Sequence, residues 1–288
     1  MRCGKIFPFF SKSIVVCSII SYNTSKSTFT HLFALLQRFD SRKMSELKTE
    51  NLTVAYKSRK SAVTAIDGLT AVFPSDSFNV IVGYSGCGKT TLLKSVLGLL
   101  GYSGHIFFDG EQIDGKDVNK RNFSYVSQEY ALYSHLTVFD NIAFPLKVMG
   151  ADKTETRKRV GDVAAMLDIA HCLTRKPKHL SGGQQQRVAI ARALIKRPRL
   201  CLFDEPLSNI DPEHRVKLRV ELKKSVIQTG CSALYVTHDF TEAMALADRL
   251  FVMDGGRIAA SGAPQEIFDS GNAVVESLKP RTDDEVDR

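Results

Sequence analysis

The stretch from Asn79 to Leu100 constrains this chain more than any other. Val80-Ile81-Val82 is an uninterrupted β-branched run, the pattern of a short buried strand. Gly83-Tyr84-Ser85-Gly86-Cys87-Gly88-Lys89-Thr90-Thr91 follows, and after Gly88 the period changes. Leu92, Leu93, Val96, Leu97 and Leu100 recur at helical spacing. A strand that feeds a helix through GxxxxGK[ST] is a P-loop. Its glycines let backbone N–H groups converge on a phosphate, and the helix N-terminus adds partial positive charge. Lys89 can reach the β- and γ-phosphates, and the Thr90 hydroxyl can ligate Mg²⁺. The alternative is a chance glycine turn, but the strand before it and the helix after it favour nucleotide binding.

Composition narrows the rest. At 288 residues, 43% hydrophobic and 24% charged, the chain can bury a full core as one large domain or two small ones. Its net charge of +8 is unevenly placed. Residues 1–43 carry seven Lys/Arg and one acid, which leaves 32 bases and 30 acids for residues 44–288. The body is thus near neutral and has no nucleic-acid footprint. Six cysteines form no CxxC and no regular spacing, which argues against a disulfide framework or zinc site and fits a reducing compartment. Cys87, at a helix N-terminus, is expected to have an acidic thiol.

Residues 1–43 are Ser-, Lys- and Phe-rich, and their longest apolar stretch, Ile14 to Ile20, is too short to span a bilayer. A transit peptide fits better than a secretory signal. The preferred reading is an extension upstream of a working start at Met44, outside the fold. From Met44 strand patterns begin: Leu47–Tyr56, then Ala62–Phe73, with Tyr56 either a strand aromatic or a platform for adenine. After the P-loop helix the sequence predicts a hairpin at His105–Gly110, a strand at Phe123–Val126 and helices at Val138–Met149 and Thr154–Leu167. A further helix opens at Leu180-Ser181-Gly182-Gly183-Gln184-Gln185-Gln186-Arg187. Its Ser and Gly read as capping or as a second anion site. Leu200–Phe203 is an apolar run ending in Asp204-Glu205, as a central parallel strand would. Pro212 opens a long helix, Ala233–Val236 is another buried strand ending at Thr237-His238-Asp239, and Leu250–Ala260 is a hairpin. A short helix follows from Pro264, and residues from Gly271 onward read as a loose polar tail.

Taken in order, these motifs resemble those of the ATP-binding cassette (ABC) transporter ATPases, over roughly residues 45–265. The P-loop is shared by many NTPases, whereas LSGGQ ahead of an acidic strand end is specific to this superfamily. The resemblance implies an α/β P-loop NTPase (RecA-like) core with an N-terminal antiparallel β subdomain. An inserted α-helical subdomain at about residues 130–185 completes an ATPase domain of 44–265, and 266–288 is the end of a short helix and a tail. It implies that ATP is held by Tyr56, Gly83, Ser85, Gly86, Cys87, Gly88, Lys89, Thr90 and Thr91. Ser181, Gly182, Gly183 and Gln184 would serve the γ-phosphate of a second cassette, in a homodimer or a heterodimer. Mg²⁺ would sit at Thr90, Gln128 and Asp204, and catalysis would rest on Glu205 as base with His238 and Gln128. Ser208-Asn209-Ile210-Asp211 corresponds to the D-loop. Singly, an Asp-Glu pair or a lone His after a strand is more often a solvated loop.

A GTPase is disfavoured because the chain has no NKxD. A DNA-repair ABC ATPase would place long coiled coils between P-loop and LSGGQ, where only 92 residues separate Gly88 from Ser181. A translation-associated ABC factor would carry two cassettes. The remaining reading is an ATPase that powers solute import through separate permease subunits. It would work with a solute-binding protein at the cytoplasmic face of the membrane, without nucleic acid. Glu129–Asn141 resembles the sugar- and polyol-type bacterial importers. Tyr130, Tyr133 and Leu136 there are expected to line a groove for a permease helix, unless they are core. Those importers usually continue into a regulatory β-domain, whereas this sequence runs 25 residues beyond Ala263.

Overall fold

The computed structural model describes residues 46–57 and 62–280. The reading of residues 1–43 as an extension lies outside them. Two sheets share one helix. Strands β1 (Leu47–Lys57), β2 (Ala62–Phe73), β4 (Ser103–Phe108) and β5 (Glu111–Gln112) form an antiparallel sheet in the order β2-β1-β4-β5. The second sheet is built from β3 (Phe78–Val82), β6 (Phe123–Val126), β7 (Leu200–Asp204), β8 (Ser232–Thr237), β9 (Arg249–Asp254) and β10 (Arg257–Gly262). Its order is β10-β9-β3-β8-β7-β6, parallel except for the β9–β10 hairpin.

Strands β3, β7 and β8 are buried along their whole length and mostly apolar because both faces are covered. Alternate residues of β7 and β8 serve different cores. Leu200, Leu202, Leu234 and Val236 join a cluster with Leu92, Leu93 and Val96 of α1 (Lys89–Leu97), together with Leu52, Ile66 and Ile106 of the antiparallel sheet. Cys201, Phe203, Ala233 and Tyr235 join the cluster on the opposite face. The P-loop helix is therefore packed on two sides by apolar contacts, each large side chain contributing about 1.5–3 kcal/mol.

That opposite cluster extends into a helical region of α3 (Val138–Val148), α4 (Lys153–Met166), two 3-10 turns (Ala170–Cys172 and Pro177–His179) and α5 (Gly182–Leu194). Thr137 and Asp152 cap α3 and α4 through their side chains. In α6 (Pro212–Thr229) the alternating residues of the sequence resolve as a helix. Leu218, Leu222 and Val226 are buried at helical spacing, while Val216 and Val220 face outward.

Three short helices escape the sequence reading: α2 (Val118–Arg121), α7 (Phe240–Leu246) and α9 (Ala273–Leu278); α8 (Pro264–Phe268) is the one expected. The last of the three corrects the reading of Gly271 onward as a loose tail. Asn272 caps α9 by accepting from the Val274 and Val275 amides, Val275 is fully buried, and Tyr84 Oη donates to Ser277 O at 2.6 Å. Among the described residues no helix is long and apolar enough to cross a membrane.

Candidate nucleotide site at the strand ends

Parallel strands deliver their carboxyl ends to one edge of the sheet, where ligands of open α/β folds bind. The loop after β3 arrives there as the P-loop. At Gly88 φ is +108°, and a Cβ would lie 2.3 Å from Ala65 O, so only glycine lets the loop pass under β2. Lys89 is buried, and its Nζ donates to Gly83 O (2.7 Å) and Tyr84 O (2.9 Å), curling the loop around its own ammonium. Cys87 departs from expectation. Burial pushes its thiol up, outweighing the nearby Lys89 charge, so it is no acidic nucleophile.

The carboxylates follow on β7. Asp204 is buried and accepts from Thr90 Oγ1 (2.8 Å) on one oxygen and from Tyr125 Oη (2.6 Å) on the other. Burial, followed by the bond to Asp204, pushes the Tyr125 hydroxyl up, so it stays a donor. A hydroxyl and a carboxylate in contact, both hard oxygen donors, fit Mg²⁺, which takes one or two protein oxygens together with phosphate and water.

Glu205 turns away from Asp204, but not by strand alternation. β7 ends at Asp204, and Glu205 has φ +47°. That left-handed residue carries its carboxylate to His238, whose Nδ1 lies 2.7 Å from Glu205 Oε2. His238 follows β8, which pairs with β7 as far as Asp204 and Val236, so strand pairing makes the two neighbours and the turn at Glu205 aims the carboxylate.

Tyr56 is 47% exposed, and its hydroxyl lies 3.2 Å from Thr91 Oγ1, which places an aromatic face beside the first turn of α1. Gln128 is exposed, and its contact with the neighbouring loop runs through its main chain, whose carbonyl accepts from Asn209 Nδ2 at 3.0 Å. Ser85 and Gly86 complete the P-loop turn.

The serine–glycine motif forms a separate surface. Ser181 and Gln184 make a reciprocal capping box at the start of α5. Gly182 and Gly183 line a cavity of about 360 Å³ with Ser181, Arg187 and Asn209, and no P-loop residue lines it.

In the segment after Gln128, Tyr130 is buried, as its core reading allowed, with positive φ there and at Ala131. Arg192 of α5 pins that turn by donating to the carbonyls of Tyr130 (2.8 Å) and Ala131 (2.9 Å). Leu132 and Leu136 are half-buried. Tyr133 is outside, its ring tilted against Phe144 at 4.7 Å and under Arg192 at 5.3 Å, and Val148 and Met149 are exposed as well. Tyr125, on Asp204, and Arg192, on the turn after Gln128, are contacts that motif reading passes over.

Residues 66–208 match the ABC transporter family. The sn-glycerol-3-phosphate import ATP-binding protein UgpC of Cupriavidus pinatubonensis is 43% identical over 226 residues, covering 78% of this chain and 60% of that protein. The maltose/maltodextrin import ATP-binding protein MalK of Aliivibrio fischeri is 47% identical over 195 residues, covering 67% of this chain and 53% of that one. The chain spans about 60% of the length of the UgpC proteins it matches. Among solved structures, the dimeric MJ0796, a bacterial ABC transporter cassette, superposes with a TM-score of 0.69 at 30% identity, over 76% of this chain and 98% of that one. A second dimeric structure of that cassette, in a post-hydrolysis state with ADP and Pi, matches equally well.

Proposed function

Because the chain belongs to the ABC transporter family, we propose that it is an ATP-binding and ATP-hydrolysing subunit that powers solute import through separate membrane permease subunits. The fold places a P-loop, an acidic strand end and a histidine on adjacent strands. The Glu205–His238 pair beside the Thr90–Asp204 pair is the observation that carries this reading. The ATPase domain covers 44–265, with the helical region as its insertion, and α8 and α9 pack onto its core through Ile267 and Val275.

In the proposed reaction the adenine stacks on Tyr56. The amides of Gly83 to Thr91, Ser85 and Cys87 among them, receive the phosphates, and Lys89 meets the β- and γ-phosphates. Thr90 and Asp204, with Gln128 at the loop above them, would hold Mg²⁺, which supplies neutralising charge on the phosphates. Tyr125 keeps the Asp204 carboxylate oriented through its second oxygen. Glu205 accepts the proton of the water that attacks the γ-phosphorus, and ADP leaves. His238 holds the Glu205 carboxylate in place. Ser181, Gly182, Gly183 and Gln184 complete the site of a second cassette. The exposed Tyr133, Phe144, Val148 and Met149 face a helix of the permease. A peripheral position at the cytoplasmic face, with a solute-binding protein on the other side, follows from the importer reading and from the import proteins it resembles.

Glu205→Gln tests the base. It keeps the shape and the contact with His238, and it should slow turnover by roughly 10²–10⁴-fold while ATP still binds. Turnover at the unmutated rate would remove Glu205 from this role.

A further inference from the structure

Two sulfurs meet at the opposite end of the sheet from the nucleotide site. Cys201 is the second residue of β7, and Cys231 directly precedes β8. The strands run side by side in parallel, with Leu200 opposite Ser232, and the two Sγ atoms lie 3.3 Å apart. Both are free thiols. A disulfide needs about 2.05 Å between sulfurs, so the pair is about 1.2 Å from bonding distance.

The two thiols differ in access and in acidity. Cys201 has no exposed surface, while Cys231 is 7% exposed beside the turn at Gly230. The bond between the sulfurs lowers the Cys231 thiol against its burial, with help from the Thr229 hydroxyl. The same bond, followed by burial, raises Cys201, against a weaker pull from the Lys196 ammonium. Cys231 is therefore the sulfur that an oxidant arriving from solvent meets first.

We propose that Cys201 and Cys231 form a redox-modification site, a dithiol that hydrogen peroxide closes to a disulfide joining the starts of β7 and β8. The Cys231 thiolate attacks one peroxide oxygen and the O–O bond breaks. Cys231 becomes a sulfenic acid, and the departing hydroxide takes the thiol proton and leaves as water. The Cys201 sulfur then attacks the sulfenic sulfur, the S–S bond forms, and hydroxide leaves with the Cys201 proton as a second water. Two thiols lose two electrons to one peroxide, and a dithiol reductant reverses the step.

The test is made on the full chain, reduced and then treated with graded hydrogen peroxide. Remaining thiols are alkylated after unfolding and the peptides mapped by mass. The expected result is a linked pair of peptides carrying Cys201 and Cys231, lighter by two hydrogens, with a raised melting temperature that returns on reduction. In Cys201→Ala, a sulfenic acid should be trapped on Cys231 by dimedone. In Cys231→Ala, Cys201 should be recovered as a free thiol. Two observations would overturn the site: both thiols alkylated after peroxide while the fold stays intact, or Cys201 paired as often with Cys87 or Cys172. Sulfenic acid on Cys201 in place of Cys231 would overturn the order of attack.

Discussion

Glu242 is 4% exposed, with Tyr235 Oη 2.6 Å from one carboxylate oxygen and Thr237 Oγ1 2.8 Å from the other. Burial pushes its carboxyl up from the ordinary 4.5, against those two bonds and the Arg219 charge. A raised folded value means that folding favours the protonated form. That stabilisation is complete below the unfolded pKa and is lost as pH rises through the folded one. Glu242→Gln cannot titrate, so its stability relative to the unmutated chain should improve from pH 4 to pH 8 in urea denaturation. A difference independent of pH would show that Glu242 does not titrate in this range. Tyr125→Phe removes one of the two donors on Asp204 and should weaken the apparent Mg²⁺ affinity by about 10–100-fold, read from ATPase rate against Mg²⁺. Lys89, Asp204, Glu205 and His238 can be proposed from the sequence because each lies in a motif. Tyr125 cannot, because its partner lies 79 positions along the chain and only the pairing of β6 with β7 brings them together. Cys87 misled for a related reason: its helix N-terminus is visible in sequence, but its burial is not.

At the scale of elements, strands and long helices were legible from their periods, whereas α2, α7 and α9 are too short to show one. In α9 the apolar positions Val274, Val275 and Leu278 look like scatter until Asn272 caps the turn and Val275 finds the core. Tyr84→Phe, which deletes the bond to Ser277, should speed amide exchange in α9 while leaving the parallel strands protected. Gly104 poses a stricter constraint. Its φ is +87°, and a Cβ would lie 2.3 Å from Asn51 O, where β1 bulges against β4. Gly104→Ala should cost about 1–3 kcal/mol in denaturant unfolding, since the contact is with backbone. Phe144→Glu, on the outer face of α3, should leave the thermal midpoint nearly unchanged and abolish co-purification with the proposed permease. Retained co-purification would move the docking surface elsewhere.

Across the whole molecule, the P-loop edge and the Ser181–Gln184 cavity are distinct surfaces of one chain. If the cavity closes over a second copy's nucleotide, a variant that binds ATP without cleaving it should stay paired. Glu205→Gln should therefore elute as a dimer with ATP on gel filtration, and Lys89→Ala as a monomer under the same conditions. A monomeric Glu205→Gln that still binds ATP would count against action between chains. The order of the parallel sheet carries a consequence for synthesis. Phe78 pairs with Ala233 and Asn79 with Arg249, so the flanks of β3 arrive 155 and 170 residues after it. At roughly 5–20 residues per second the ribosome needs about 10–30 s to supply them. Until then Val80-Ile81-Val82, the seed of the nucleotide site, is a naked β-branched edge, open to pairing with another nascent chain or to shielding by a chaperone.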